Sequence, residues 1–291
     1  MSFKLPVQNT VAIGGVGGSG TRLIAQIVDG LGFFIGDELN NALDNLYFTL
    51  LMKRPSWIHR FPSDMEVYEA LKLFQRSMTT GLSGRVTQQE IDYTRKIAAE
   101  LDPSNLTIGV SSAIAELLLD SKPANLNGRI GWGWKEPNTH LFLPQLATCL
   151  PDFKYIHIIR HGLDIAFSLN QHQPKNWNSF ICGQALNKKV PLPRQSLSYW
   201  IAANRRAINL GRELYGDRFL VLNYDDLCLS PHIGIQILAD FLNVEMSQKE
   251  LEALETFVAP VSTGRWKEHG TELFTDKQLE AVKTLGFSIV P

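Results

Sequence analysis

The chain has 291 residues, of which 44% are hydrophobic and 20% charged, and its formal net charge is −1. The length allows one substantial core, and the near-neutral charge does not indicate a strongly basic surface for nucleic acids. No cationic segment followed by an apolar one opens the chain and no apolar run could span a bilayer, so we predict a cytoplasmic protein. The three cysteines are far apart, which fits neither a disulfide framework nor a zinc site.

A glycine-rich stretch near the start of the chain predicts a loop between a strand and a helix. Residues 11–13 form a short apolar run typical of a buried strand, and five of the next seven residues are glycine. From Thr21 onward, apolar residues recur at the spacing of a helix. Because the unpaired N–H groups and the dipole at a helix N-terminus favour an anion, the stretch predicts a phosphate-binding loop.

Local patterns leave the type of phosphate ligand open. A Walker A loop needs Lys and then Ser or Thr after its last glycine, whereas Gly20 is followed by Thr21 and Arg22, which disfavours a nucleoside triphosphatase. Residues 15–20 fit the GxGxxG pattern of dinucleotide-binding loops, and Asp37 follows at about the spacing of a ribose-binding acid. An NAD-dependent oxidoreductase therefore remains an alternative.

The next segment is rich in acidic and amide side chains before it becomes apolar. Residues 36–51 include Glu38 and Asp44. Since Asn and Asp are common both in turns and before helices, the segment favours a pocket-lining helix and a solvated connection equally.

A predominantly helical region follows. Residues 52–128 contain candidate helices at 65–78 and 87–101, and the second is opened by a capping box from Thr87 to Glu90. We expect a helical insertion that shapes or covers a substrate site.

Two later strands each end in a basic residue. A run with two tryptophans ends at Lys135, where Pro137 prevents the strand from continuing. The run 154–159 ends at Arg160, and the following helix is predicted to contain Ser168. Because the carboxyl ends of parallel strands face the ligand crevice, both cations are candidate ligand-binding groups. His157 lies inside its strand and is expected to be a packed core residue.

The remaining stretches predict an irregular segment and then regular elements. Residues 171–195 are rich in proline and polar residues, which predicts a long loop of the kind that forms lids or binding sites. We predict further elements in this order: a helix at 197–214, a strand at 219–222, a helix capped by Ser230 through Leu242, and a helix opened by the capping box Ser247 to Glu250 that ends near Pro260. A closing loop carries Arg265 beside a tryptophan.

Several motifs occur along the chain in a fixed order. They are Ser19-Gly20-Thr21 at the end of the glycine loop, Lys135-Glu136-Pro137, the run RHGLDIAFS from Arg160 to Ser168, Tyr224-Asp225-Asp226-Leu227, and Gly264-Arg265-Trp266. In residue types, spacing and order they resemble the sulfotransferases that use 3′-phosphoadenosine 5′-phosphosulfate (PAPS). The resemblance implies an α/β fold, a three-layer P-loop-like sandwich with a central parallel sheet. It also implies a single domain over residues 1–291, with the helical insertion at about 52–128.

The same resemblance implies roles for individual residues. The 5′-phosphosulfate would be held by Gly17, Gly18, Ser19, Gly20, Thr21 and Arg22. The 3′-phosphate would be bound by Arg160, Ser168 and Arg265, and the nucleotide would contact Tyr224. Lys135 would lie at the sulfuryl end of the donor, and no metal would be needed. The general base that accepts the acceptor's proton stays open between Glu38, Asp44 and His140.

One position departs from the family pattern. Many members carry Lys or Arg immediately before Ser-Gly-Thr, where this chain has Gly18. The loss of one such donor to the leaving oxygen costs roughly 3 kcal/mol of transition-state stabilisation unless another group replaces it, and Lys135 and Arg22 are the available substitutes. A non-catalytic phosphonucleotide-binding domain is therefore a second alternative. The acceptor, a hydroxyl or an amine, cannot be identified from the sequence.

Overall fold

The computed structural model describes residues 9–101, 112–150, 152–258 and 263–290. Within these ranges, five strands form one parallel sheet in the order β2-β3-β1-β4-β5. The strands are β1 Thr10–Gly15, β2 Phe33–Phe34, β3 Gly131–Lys135, β4 Lys154–Ile159 and β5 Phe219–Asn223. The predicted parallel sheet is confirmed, and β1, the strand that leads into the glycine loop, lies at its centre.

Helices account for most of the remaining described residues. Those before β4 are α1 Thr21–Gly30, α2 Leu46–Met52, α3 Pro55–His59, α4 Asp64–Met78, α5 Gln88–Glu100, α6 Ser112–Leu119 and α7 Leu143–Cys149. Those after β4 are α8 Gly162–Ala166, α9 His172–Cys182, α10 Leu192–Tyr215, α11 Tyr224–Leu229, α12 Pro231–Leu242, α13 Gln248–Glu255 and α14 Asp276–Thr284. No helix in the described ranges is long and apolar enough to cross a membrane.

The two faces of the sheet are covered by different sets of helices. Side chains alternate between the faces of a strand, so Val11 and Ile13 pack into one core with α1, α12 and α13. Ala12, Trp132 and Trp134 pack into the other core with α2, α4 and α10. Helix, sheet and helix thus form three layers, which confirms the predicted fold class.

The strand register brings distant sequence positions to one edge of the sheet. Ile13 lies opposite Lys135 in the ladder between β1 and β3, and Gly15 lies opposite Ile158 in the ladder between β1 and β4. The glycine loop, Lys135 and Arg160 therefore share the carboxyl edge, as the sequence predicted.

The prediction of a long irregular segment at 171–195 is wrong. Helix α9 occupies its first half, and α10 begins at Leu192. Pro174 is tolerated because it lies in the first turn of α9, where its missing N–H has no helical partner. The helix is fixed by Trp177, which is fully buried and donates a hydrogen bond through Nε1 to Asn138 at 2.8 Å. This tertiary contact outweighs the local proline signal.

Two predicted helix starts are confirmed. The capping boxes at Thr87 and at Ser247 both form, so α5 and α13 begin where predicted. Pro231 starts α12 as expected, but the side chain of Ser230 makes no capping hydrogen bond.

The undecided segment 36–51 divides into two parts. Its second part is the fully buried helix α2, capped by Asn45, and its first part is a turn that reaches the site described below. The region predicted as a helical insertion contains α3 to α6. Residues 102–111 of that region, and Pro260, near which the last predicted helix was expected to end, lie outside the described residues.

Candidate active site

The glycine loop ends at the N-terminus of α1, where the N-cap residue is Gly20 and no side-chain capping hydrogen bond is found in the described part of the chain. The N–H of Ser19 donates to the carbonyl of Val16 at 3.1 Å, and Gly20 takes a left-handed conformation just before α1. Helix α1 has no acidic residue in its first turn. The hydroxyl of Ser19 is fully buried and has no hydrogen-bond partner among the described residues. A buried hydroxyl and an uncapped helix N-terminus fit a bound phosphate.

The glycines of this loop allow close packing, and Gly18 stands where the family pattern expects a cation. Gly18 has φ 90°, and a Cβ there would lie 3.3 Å from the side chain of Ile165. A side chain at this exposed position would strain the backbone, because φ is positive, and would require a small shift of Ile165. At Gly20, the ring of Tyr224 lies against the backbone, 2.1 Å from where a Cβ would stand. Burial raises the pKa of Tyr224 to about 12.

Arg160 joins the glycine loop to the ends of β4 and β5. Its Nη1 donates to the carbonyl of Gly18 at 3.2 Å, and its guanidinium carbon lies 5.1 Å from the centre of the Tyr224 ring. The side chain is 10% exposed, and its Nη2 lies 3.9 Å from Oδ2 of Asp164. A largely buried guanidinium beside a phosphate-binding loop is well placed for a second anionic group.

Ser168 lies near the same loop, although not in the predicted helix. Helix α8 ends at Ala166 because the chain turns at Phe167, so Ser168 follows the helix instead of lying inside it. Its hydroxyl accepts a hydrogen bond from the N–H of Asn170 at 3.2 Å, and it lies 3.8 Å from where a Cβ of Gly18 would stand.

The loop that carries Arg265 is anchored to α8. The carboxylate of Asp164 accepts hydrogen bonds from the N–H groups of Gly264 at 2.8 Å and Trp266 at 3.1 Å. The half-buried Arg265 stands between these two residues. The structure therefore brings together the glycine loop, Arg160, Ser168, Tyr224 and the Arg265 loop, all predicted as donor-binding groups. Arg22, in the first turn of α1, is exposed.

Lys135 is a buried cation held by the turn that precedes α2. Its ammonium group donates to the carbonyl of Ala42 at 2.9 Å and to Oδ1 of Asp44. Oδ2 of Asp44 accepts from the amide of Asn40 at 3.0 Å, and the Asn40 side chain in turn accepts from the N–H of Asp44. Both oxygens of Asp44 are thus used. Glu38, in the same segment, is half-buried.

Sequence reasoning missed a second acidic and basic pair beside Lys135. Glu136 is fully buried, and Nζ of Lys53 lies 3.8 Å from its Oε1. The other carboxylate oxygen accepts from the N–H of Asn138 at 2.6 Å. Burial raises the pKa of Glu136. From the sequence, Lys135 was the nearest cation that could pair with Glu136. The actual partner, Lys53, is far away in the chain and follows an apolar helix, so no local pattern indicates this pair.

His140 lies in the core on the opposite face from α1. Its ring is fully buried, and neither ring nitrogen has a hydrogen-bond partner among the described residues. Burial holds the pKa of His140 well below its usual value. Its neighbour His157, 6.3 Å away between ring centres, donates from Nε2 to the side-chain carbonyl of Asn204 at 2.9 Å. Burial lowers the pKa of His157 to about 4, so the prediction of a packed core histidine is confirmed.

Two further observations concern the sequence-predicted alternatives. No group of three or more His, Cys, Asp or Glu side chains there is placed to hold a metal ion. Asp37, the acid required by the dinucleotide-binding pattern, is exposed.

Comparisons with known proteins concern the fold and the family of the chain. A solved sulfotransferase domain from the curacin biosynthetic pathway is 15% identical, with a TM-score of 0.52 over 99% of this chain and 100% of that one, which shows a shared fold. The sulfotransferase domain of the Synechococcus PCC 7002 olefin synthase is 15% identical, with a TM-score of 0.48 over 99% and 97% of the two chains. A retinol dehydratase in complex with androsterone and the inactive cofactor PAP is 14% identical, with a TM-score of 0.44 over 100% and 84%.

At the level of sequence, a search among curated proteins finds no match to the chain. The model of the sulfotransferase family, however, matches residues 10–248, which include the glycine loop, Lys135, Arg160 and Tyr224. The chain therefore belongs to the sulfotransferase family.

Proposed function

We propose that this sulfotransferase moves a sulfuryl group from PAPS to an acceptor hydroxyl or amine by in-line displacement. One observation carries the choice of donor: Arg160 donates to the carbonyl of Gly18, so a buried cation adjoins the uncapped glycine loop. A nucleotide that bears a phosphosulfate at one end and a phosphate at the other matches these two anion-binding groups. Family membership gives no support to the NAD-dependent alternative or to the non-catalytic one.

In this proposal the donor lies across the carboxyl edge of the sheet. The amides of residues 17–21 and the hydroxyls of Ser19 and Thr21 hold the 5′-phosphosulfate. Arg160, Ser168 and Arg265 bind the 3′-phosphate, and Tyr224 contacts the nucleotide. Arg22 adds positive charge from the exposed first turn of α1. The buried hydroxyl of Ser19 gains a partner when the phosphosulfate binds.

Lys135 stabilises the charge that develops on the leaving phosphate. Transfer forms a bond from the acceptor oxygen or nitrogen to sulfur and breaks the bond from sulfur to the bridging oxygen, which leaves with the electron pair. Lys135 lies at the same sheet edge as the loop, and Gly18 provides no side chain for this purpose. Its hydrogen bonds to Ala42 and Asp44 fix the ammonium group in place.

The general base is best assigned to Glu38. Both oxygens of Asp44 are used by Lys135 and Asn40, so this carboxylate suits holding the lysine more than accepting a proton. His140 is fully enclosed in the core. Glu38 is half-buried in the segment that carries Asp44, which leaves it accessible to an acceptor.

Several properties remain sequence predictions. These are a cytoplasmic location, the absence of a metal requirement, and a single domain with an insertion at about 52–128. The acceptor and the oligomeric state are open.

The proposal is tested first by ligand binding and then by transfer. In thermal-shift titrations we expect 3′,5′-adenosine bisphosphate, the spent donor, to raise the melting temperature, whereas NAD has no effect. Stabilisation by NAD alone would refute the proposed donor. Transfer of labelled sulfate from PAPS onto a panel of hydroxylated and amine acceptors then tests catalysis.

A further inference from the structure

Asp164 is a buried carboxylate that connects two motifs one hundred residues apart. Its side chain is 1% exposed, and it lies in α8, four residues after Arg160. Oδ2 accepts from the N–H of Gly264 and Oδ1 accepts from the N–H of Trp266. Each carboxylate oxygen therefore binds the backbone on one side of Arg265.

The Arg265 loop has a second attachment to the same segment. The ring of Trp266, which is 2% exposed, stacks on His161 with ring centres 5.2 Å apart and an interplanar angle of 21°. With the residues on either side held in this way, the Arg265 side chain leaves the backbone from a fixed point. Less conformational freedom is then lost when it binds an anion.

The segment that carries Asp164 is itself anchored on its far side. The N–H of His161 donates to Oδ2 of Asp225 at 2.8 Å, which ties the end of β4 to α11. Asp225 therefore binds the segment 160–164 from α11. Asp164 belongs to that segment and binds the Arg265 loop. Asp225 thus holds the segment that carries both Arg160 and Asp164.

We infer that Asp164 is a positioning residue that presents Arg265 to the 3′-phosphate and so sets the preference for a 3′-phosphorylated nucleotide. The inference rests on the proposed donor. A carboxylate suits the task because it offers an acceptor oxygen to each of the two N–H groups. An asparagine offers one acceptor oxygen and places an amide donor against the second N–H.

The test compares the binding of two nucleotides by titration calorimetry. The probes are 3′,5′-adenosine bisphosphate and adenosine 5′-phosphate, which differ only in the 3′-phosphate. For Asp164→Asn we expect the Kd for the bisphosphate to rise about tenfold while the Kd for the monophosphate changes less than about twofold. Arg265→Ala should show the same loss of preference, and adding it to Asp164→Asn should cause no further loss. Equal weakening of both nucleotides, or a full additional effect in the double variant, overturns the inference.

A control variant, a fallback variant and the wild type keep the outcomes separate. Asp29→Asn, at a partly exposed carboxylate that pairs with Arg129 outside the site, should leave the ratio of the two Kd values unchanged. A similar loss of preference in this variant would show general loosening and would contradict a specific role for Asp164. If Asp164→Asn does not fold, Asp164→Glu decides: it keeps both acceptor oxygens but moves them on a longer side chain, so it should show the same loss of preference, and an unchanged preference overturns the inference. Equal binding of both nucleotides by the wild type would instead refute the proposed donor.

Discussion

Two halves of the candidate site are held together by different kinds of contact. The donor half comprises the glycine loop 16–20, Arg160, Asp164 and residues 264–266, and side chains there bind the backbone of distant segments. The transfer half comprises Glu38, Asp44, Lys53, Lys135 and Glu136, and it contains two contacts between oppositely charged side chains, Lys135 with Asp44 and Lys53 with Glu136. The donor half depends on loop geometry, whereas the transfer half depends on charges that are costly to bury without a partner.

Removal of the central cation of the transfer half should give the largest effect. For Lys135→Met we expect the transfer rate to fall about 100- to 1,000-fold, because the leaving phosphate loses its stabilising charge. The affinity for 3′,5′-adenosine bisphosphate should change little, since that nucleotide is held by the donor half. Single-turnover transfer and calorimetry measure the two quantities. Lys122→Met, at an exposed lysine, is the control, and an unchanged rate in Lys135→Met contradicts the assignment.

The buried His157, in strand β4, should make the free energy of unfolding depend on pH. The pKa of His157 is about 4 in the folded protein and about 6.5 when unfolded. Because the folded state excludes the proton, the stabilisation is present above pH 6.5 and is lost as the pH falls toward 4. The loss amounts to about 3 kcal/mol, and His140 adds to it in the same direction.

Urea unfolding at pH 7 and pH 4.5 measures this dependence. His157→Gln should be less sensitive to pH than the wild type. His232→Gln, at an exposed histidine, should match the wild type. If the unfolding free energy of all three proteins falls by the same amount between pH 7 and pH 4.5, His157 is not buried in its neutral form.

Packing within the donor half should give a moderate effect. In Gly20→Ala the new Cβ meets the ring of Tyr224, and we expect a loss of about 2 kcal/mol in unfolding free energy together with weaker nucleotide binding. Gly84→Ala is a matched control, because Gly84 also has a positive φ but has no neighbour within 4 Å of a new Cβ. Equal losses in the two variants would show that contact with Tyr224 is unimportant.

The smallest expected effect is the removal of one charge-assisted contact from the donor half. Arg160→Ala should weaken binding of 3′,5′-adenosine bisphosphate by about 1.5 kcal/mol, or roughly tenfold in Kd. Arg129→Ala, at a partly exposed arginine outside the site, should leave binding unchanged. Calorimetry at constant salt makes the comparison. If Arg160→Ala keeps full affinity for the bisphosphate, Arg160 does not bind the nucleotide.

The donor half was the more predictable from sequence, for a physical reason. A glycine-rich loop and the end of a strand each produce a local sequence pattern that can be recognised. Arg160 and the glycine loop could therefore be placed together before their contact was seen. The hydrogen bonds from Asp164 to the Arg265 loop could not be predicted in this way, because the partners are far apart in the chain.

The transfer half shows where sequence reasoning fails. Glu38, Asp44 and His140 were equivalent as candidate bases because burial and pairing cannot be derived from residue type. The structure separates them through the ion pair of Asp44 with Lys135 and the complete enclosure of His140. The same limit explains the missed helix α9, whose formation depends on a buried contact of Trp177.

The most direct test of the account is a crystal structure with 3′,5′-adenosine bisphosphate bound. We predict that the 5′-phosphate lies on the amides and hydroxyls of residues 17–21. The 3′-phosphate should contact Arg160, with Arg265 close by, and Lys135 should lie at the 5′ end of the nucleotide. A nucleotide bound away from the glycine loop, or with its 3′-phosphate remote from Arg160, would contradict the account.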